Sequence, residues 1–296
     1  MIQKPFIKWV GGKQKLLDNF ITYIPKEMNN YHELFLGGGS FLFMILSLVN
    51  DNKISIKGNI YAYDINKNLI NMYINIQKNS RELYNYLIKY FKEYDSIKSN
   101  IIIKNPTKLE EALSSKENYY YYIRNIYNNN NNINDIEKSA IFIFLNKTCF
   151  RGLYREGPNG FNVPYGHYKK TPNIFSINEL NNITTLIKNV NFICTDFIES
   201  NNNIKNNDFI YMDPPYYPVN EKSFTDYNYI KFDKNKQIEL FNFIIKLKDI
   251  KFILSNSNTE TVLTFFKNYN IKKIKVRRYI NSKNPGTEET EIFIYN

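Results

Sequence analysis

In the stretch DFIYMDPPYYP (Asp208 to Pro218), an apolar run delivers one carboxylate, Asp213, directly into two prolines and two tyrosines. Proline fixes its own φ, lacks an N–H donor and holds the preceding residue extended, so the chain leaves the run in a stiff turn. Such a turn presents two fixed hydrogen-bond acceptors, the Asp213 carboxylate and the Pro214 carbonyl, with the ring of Tyr216 just beyond. This set suits chemistry at the exocyclic amino group of a nucleobase. The nitrogen lone pair there is delocalised into the base. Acceptors that take hydrogen bonds from the amine localise it, and a neighbouring ring can stack on an extruded base. Rigidity of the turn is preorganisation. The competing reading is an ordinary strand end with Asp213 capping a backbone N–H.

A second cluster lies near the start. The GGGS of Gly37 to Ser40 follows a short apolar strand and leads into an apolar helix, and Asp64 tips the next strand. Glycines at Gly37 and Gly39 let the backbone approach a ligand closely, and a carboxylate at Asp64 accepts both hydroxyls of a ribose. The loop lacks the Gly-Lys-Ser/Thr that holds a triphosphate, and Glu33 on the strand before it would repel a pyrophosphate. An adenosine cofactor without phosphates, S-adenosylmethionine, fits better. Upstream, FIKWVGGK supplies the indole of Trp9 and the ammonium of Lys13, which could face a cofactor carboxylate. Core packing for Trp9 and a solvated position for Lys13 are the alternatives.

The elements that must position these residues are legible in outline. Strand, glycine loop, helix and acid-tipped strand open a doubly wound α/β sheet. VNFICTDF (Val190 to Phe197), DFIYMDPPY, KFILSNS (Lys251 to Ser257) and the terminal EIFIYN read as further strands, with polar helical stretches between them. The expected fold is α/β, a Rossmann-like sheet interrupted by a helical insert. From about residue 67 to 170 the pattern turns helical, tyrosine-rich and basic. Within it, EGPNGFNVPYG carries Pro-Asn-Gly between extended residues, a hairpin signal. The expected division is a catalytic domain of residues 1–66 and 171–296 around a recognition domain of residues 67–170. The asparagine run Asn128 to Asn132 reads as a low-complexity loop with no assignable chemistry.

Bulk properties narrow the class. With 296 residues the chain can bury one large core or two modest ones, and a net charge of +11 favours a polyanionic partner, nucleic acid first. Aromatics, at 16%, exceed what a core requires. Two distant cysteines and two histidines give no metal-ligand spacing, so no metal is expected, and a reducing compartment is. The N-terminus shows no apolar signal segment and no run is long enough to span a bilayer, so the expectation is a soluble, cytoplasmic protein without a membrane partner.

Taken together, FIKWVGGK, ELFLGGGS, AYDIN, NKTCFRGLYR, GFNVPYG, YMDPPYYP, FTDY and EETEIFIYN resemble the Dam-type DNA adenine methyltransferases, the D12 class, over essentially the whole length. Their order, cofactor loop, recognition insert, then DPPY, is that of the alpha group of amino-methyltransferases. The resemblance implies a catalytic set of Asp213, Pro214, Pro215 and Tyr216. It implies S-adenosylmethionine contacts at Trp9, Lys13, Glu33, Phe35, Gly37, Gly39, Asp64 and Asp213, with Asp196 and Phe197 near the adenine. Leu34 departs from the proline usual in the family's EPF, while Glu33 and Phe35 remain. For double-stranded DNA, the resemblance implies contacts from Lys8, Phe150, Arg151, Leu153, Arg155 and Pro164. Phe150 stands where the family carries an aromatic that stacks into the helix, and Arg155 matches an arginine that reads guanine. Leu153 and Pro164 are placed to pack on thymine methyls. GATC is the leading expected target, although Arg151 departs from the small polar residue that relatives methylating GATC carry there. A monomer is expected, with a cognate restriction endonuclease as a candidate partner.

Other readings stay open. They are amino-methylation of cytosine or of RNA, and an inactive DNA-binding regulator on the same scaffold. Asp rather than Ser before the two prolines favours adenine, the large insert favours duplex DNA, and the intact turn and loop favour an enzyme. Methylation of a cytosine ring carbon is disfavoured, because neither cysteine follows a proline.

Overall fold

Topology is set in the middle of the sheet. In the computed structural model, which describes residues 2–14, 16–218, 232–247, 249–278 and 287–296, β1 (Tyr31–Glu33) and β2 (Ile60–Asp64) are parallel neighbours. The connection between them contains α1 (Ser40–Asn50), and β3 (Val190–Cys194) extends the sheet on the same side. The chain then crosses to the other flank of β1 with β4 (Phe209–Met212), followed outward by β5 (Lys251–Ser257). β7 (Thr287–Tyr295) pairs antiparallel with β5 and with the edge strand β6 (Asn270–Arg278). The order is β6-β7-β5-β4-β1-β2-β3, a Rossmann-like α/β sheet that is parallel except at β7. Winding reverses between β1 and β4, and in open α/β sheets ligands bind at that switch point, beyond the carboxyl ends of the strands. Residues 34–39, 64–66 and 213–217 all emerge there.

Local sequence explains these elements. β4 is FIYM with every residue buried, the continuous apolar run of a strand covered on both faces. α1 is buried over nine consecutive residues, Ser40 to Leu48, as a helix apolar all round must be. α2 (Lys67–Ser96) starts at Asn66, whose side chain accepts from Leu69 N at 2.9 Å, and bends at Asn79 (φ −129°, ψ 29°). Before the bend α2 packs on the sheet: Tyr73 stacks on Phe192 at 5.1 Å and Gln77 donates to the carbonyls of Ile187 and Val190. Beyond it, Tyr90, Phe91 and Tyr94 meet Phe144 of α4 (Asp135–Thr148), with Tyr119 of α3 (Lys116–Asn129) against the same ring. One apolar cluster therefore runs from the sheet into the helical layer.

Two expectations change. The aromatics expected to exceed what a core requires are taken up by the core of the insert: Tyr90 and Tyr119 are buried with their hydroxyls on Glu137 and Glu93, each at 2.6 Å, and Tyr94 meets Tyr165 at 2.7 Å. The asparagine run is also not featureless. Asn128 and Asn129 lie in α3, and the Asn128 amide both accepts from Phe161 N and donates to Phe161 O at 2.9 Å. It clamps a short hairpin of Glu156–Gly157 and Gly160–Phe161, which turns at the expected Pro-Asn-Gly. Among the described residues no helix is long and apolar enough to cross a membrane. The FTDY motif, residues 224–227, lies outside the described residues.

Candidate active site

The glycine loop closes around a carboxylate. Gly37 and Gly39 sit at φ +50° and +70°, in the left-handed region, and Gly37 N donates to Asp64 Oδ2 at 2.9 Å. Asn66 N donates to Asp64 Oδ1 at 2.9 Å, so backbone amides orient the acid while its oxygens keep further acceptor capacity. Burial pushes the Asp64 carboxyl up, and the hydrogen bonds from Asn66, Gly37 and Ile65 oppose this. Trp9 lies across the loop, close enough that a Cβ on Gly37 would come within 2.8 Å of its Cδ1. Its other face stacks on Tyr154 at 5.2 Å and Phe142 at 6.2 Å, so Trp9 is both a core residue and the wall of the loop. Glu33, fully buried, takes the Tyr31 hydroxyl at 2.6 Å; burial first, then the charges of Asp213 and Asp64, hold its carboxyl well above the usual range.

At the end of β4, Asp213 is part of a buried charge cluster. Lys13 Nζ lies 2.9 Å from Asp213 Oδ2 and 4.0 Å from Glu291 Oε2, donates to Gly11 O at 2.7 Å, and sits 5.0 Å over the Tyr216 ring. Lys13 is 5% exposed, so a solvated position is excluded; its partners are the turn's acid and a residue of β7. Tyr216 donates its hydroxyl to Glu291 at 2.9 Å. Burial raises the Asp213 carboxyl, against the opposing charge of Lys13 and with the like charge of Glu291. Asp213 Oδ1 is buried without a hydrogen-bond partner among the described residues.

The proline turn is held from β5 and α5 (Lys234–Lys246). Gln237 donates to Pro215 O, Asn256 Oδ1 accepts from Tyr217 N at 2.9 Å, and Ser257 Oγ donates to Tyr217 O at 2.6 Å. Pro214 is buried and Pro215 exposed. Asp196 follows β3, caps the next turn through Ile198 N at 3.1 Å and pairs with Lys236 at 3.3 Å. Phe197 is buried with its ring 5.6 Å from that of Phe35, so the expected adenine residues and the loop share one aromatic floor.

Of the expected DNA residues, Phe150, Arg151, Arg155 and Pro164 are exposed on the insert. Phe150 is 41% exposed, and Arg151, at φ +57°, carries its guanidinium 5.1 Å over the Phe150 ring. A non-glycine residue in that region is uncommon, and both side chains are exposed there. Phe150 N donates to Pro164 O at 2.8 Å, which sets exposed Pro164 beside it. Exposed Arg155 donates Nε to Asn162 Oδ1 at 2.6 Å, and Leu153 is half-buried. Lys8 is exposed, with its backbone fixed to the Asn146 side chain at 2.9 and 2.7 Å and its ammonium 5.3 Å over Tyr168.

The family model of the D12 class N6 adenine-specific DNA methyltransferases matches residues 9–280. The chain belongs to this family. It is 37% identical over 290 residues to a type II methyltransferase, M.MjaIII, of Methanocaldococcus jannaschii, covering 95% of this chain and 93% of that one. It is 30% identical to the DNA adenine methylase of Haemophilus influenzae, covering 95% and 89%, and 28% identical to that of Escherichia coli K12, covering 97% and 92%. The chain is thus an adenine-specific DNA methyltransferase.

Several residues around this methyltransferase site escaped the sequence reading. Asn256 and Ser257, which hold the turn, carried a usable signal: polar residues closing an apolar strand at the carboxyl edge of the sheet. Gln237 carried none, being one polar residue in a polar helix. Glu291 lies among the acids of EETEIFIYN, and nothing in the string tells which of them is buried. Tyr154 was passed over between Leu153 and Arg155.

Proposed function

We propose that the chain transfers the methyl group of S-adenosylmethionine to the exocyclic amino group of an adenine turned out of duplex DNA. The observation that carries this reading is Asp213 Oδ1, a buried carboxylate oxygen without a partner among the described residues, at the switch point of the sheet. Its twin, Oδ2, is fixed by Lys13, so the acceptor direction is set before any substrate arrives.

The loop suits this cofactor. When bound, S-adenosylmethionine supplies a methyl group on a positively charged sulfur. Glu33, Asp64 and Asp213 surround its site with buried carboxyl groups whose ionisation is disfavoured, and a cationic ligand relieves that penalty where an anionic pyrophosphate would deepen it. Asp64 would take the ribose hydroxyls, Trp9 and the left-handed glycines the adenosine edge, and Phe35 with Phe197 the adenine.

Asp213 Oδ1 and the Pro214 carbonyl accept hydrogen bonds from the amine of the target base, which frees the nitrogen lone pair to form the new N–C bond as the methyl–sulfur bond breaks and the thioether product leaves. Tyr216, tethered to Glu291, stacks on the base. The amine must lose one proton as it gains the methyl group, and the Asp213 carboxylate, which accepts its hydrogen bond and whose proton affinity burial raises, receives it. On the insert, Phe150 fills the gap left in the duplex, Arg155 reads a guanine, Leu153 and Pro164 pack on thymine methyls, and Lys8 and Arg151 meet the backbone. GATC is the site we expect, read by one copy of the chain, since both the turn and the reading face belong to it. Incubation with random-sequence duplex DNA and labelled S-adenosylmethionine, followed by mapping of the modified base, tests the reading. N6-methyladenine in one sequence context is expected; label on cytosine, or on RNA in preference to duplex DNA, refutes it.

A further inference from the structure

A closed ring of contacts joins the cofactor loop to the reading hairpin. Gly37 is bonded to Asp64 and pressed by Trp9; Trp9 stacks on Tyr154 at 5.2 Å and 25°. Tyr154 donates its hydroxyl to Glu156, and Asn68 donates to Glu156 Oε1 at 3.1 Å and to the Tyr154 hydroxyl at 3.5 Å. Asn68 stands in the first turn of α2, two residues after Asn66, whose backbone N–H returns to Asp64 at 2.9 Å. In extended chain, alternate side chains share a face. Tyr154 and Glu156 are accordingly turned into the protein toward the loop, while Arg155 between them is exposed on the opposite side.

We propose that Tyr154 is a positioning residue for both sites, with Glu156 and Asn68 as its anchors, so that duplex DNA seated on Arg155 and a cofactor seated against Trp9 strengthen each other's binding through it. This rests on the functional reading given above. Any displacement of the hairpin that accommodates a base pair moves Tyr154, and the close fit of Trp9 on Gly37 transmits that movement to the loop wall. The coupling is reciprocal, as linkage requires.

Trp9 is the single tryptophan of the chain, so its emission reports the loop wall directly. The experiment measures the dissociation constant of S-adenosylhomocysteine by Trp9 fluorescence, with and without a duplex carrying the mapped site. The wild-type ratio is expected to be about 5-fold or more. Tyr154→Leu, which removes ring and hydroxyl, is expected to bring the ratio to about one and to relax discrimination at the base pair read by Arg155. Tyr154→Phe, which keeps the stack but cuts the hydroxyl's contacts to Glu156 and Asn68, is expected to lower the ratio part of the way. Should Tyr154→Leu not fold, Asn68→Ala at the half-buried end of the ring carries the test, with the ratio again expected to fall. A wild-type ratio of one, or a ratio unchanged in whichever of these two variants folds, overturns the proposal. If wild-type methyl transfer to adenine persists in that case, the coupling fails and the enzymatic reading stands; if it is absent, the enzymatic reading fails first.

Discussion

Replacing Lys13 by methionine should expose how much of the site's stability rests on one buried cation. At 2.9 Å from Asp213 and an effective dielectric near 20, the Coulomb attraction is about 6 kcal/mol before desolvation is deducted. Removing one partner of such a pair and leaving the other buried costs about 3–5 kcal/mol. Asp213 is 18% exposed and Glu291 lies on the same ammonium, so the variant leaves two carboxylates facing each other. The sign with pH follows from Asp213, whose carboxyl burial already raises and which loses its largest opposing influence. A folded-state value above the unfolded one means that the native protein holds an extra proton between the two. Stability is present below the ordinary carboxylate range and is lost as pH rises through the folded value, at up to about 1.4 kcal/mol per pH unit per group. The raised carboxyls of Glu33 and Asp64 act in the same direction in both proteins and cancel in the comparison. Urea denaturation of wild type and Lys13→Met from pH 4 to pH 8 should therefore show a small difference at the acid end that grows toward neutrality. A difference that is constant, or that shrinks as pH rises, would refute this account of the cluster.

Other expectations follow from the same geometry. Asp213→Ala should leave a folded, duplex-binding protein and lower methyl transfer by about two to three orders of magnitude, checked by label incorporation at saturating DNA. Arg155→Ala should cost about 1–3 kcal/mol of discrimination at one base pair; equal loss on the mapped site and on every single-base variant of it would show that Arg155 meets only the backbone. Duplex affinity measured from 50 to 200 mM salt should fall with a slope of about −0.9 per phosphate contact on a log–log plot, and a flat line would make the +11 charge a matter of composition. Gly37→Ala, strained at φ +50° and obstructed by Trp9, should weaken S-adenosylhomocysteine binding while far-ultraviolet circular dichroism stays unchanged.

What the sequence disclosed depended on how local the cause was. The glycine loop, the acid at the tip of β2 and the proline turn are set by neighbouring residues, and they appear where periodicity and turn chemistry place them. The hairpin was equally local, announced by Pro-Asn-Gly. Pairing of β7 between β5 and β6 was not, because strand order in a sheet is decided by contacts far apart in the chain. For a related reason the tyrosines of α3 look surplus to a core until partners such as Glu93 from another helix are known. Lys13 shows the same limit, since a lysine in a glycine-rich segment gives no hint that it will be buried against Asp213 and Glu291.

The meeting of Lys13, Asp213 and Glu291 bears on how the protein acquires activity as it folds. These residues come from the beginning, the later middle and the end of the described sequence, and β7, which carries Glu291, is flanked by two strands made before it. Loops that long close slowly, and contacts between distant segments are rewarded only after most of the chain has condensed. The helical layer around Phe144, built mainly from residues 83–144, can gather well before then. Refolding should therefore recover helix and buried aromatic surface in an early phase. Methyl transfer should return later, with the insertion of β7 as the step that assembles the charge cluster.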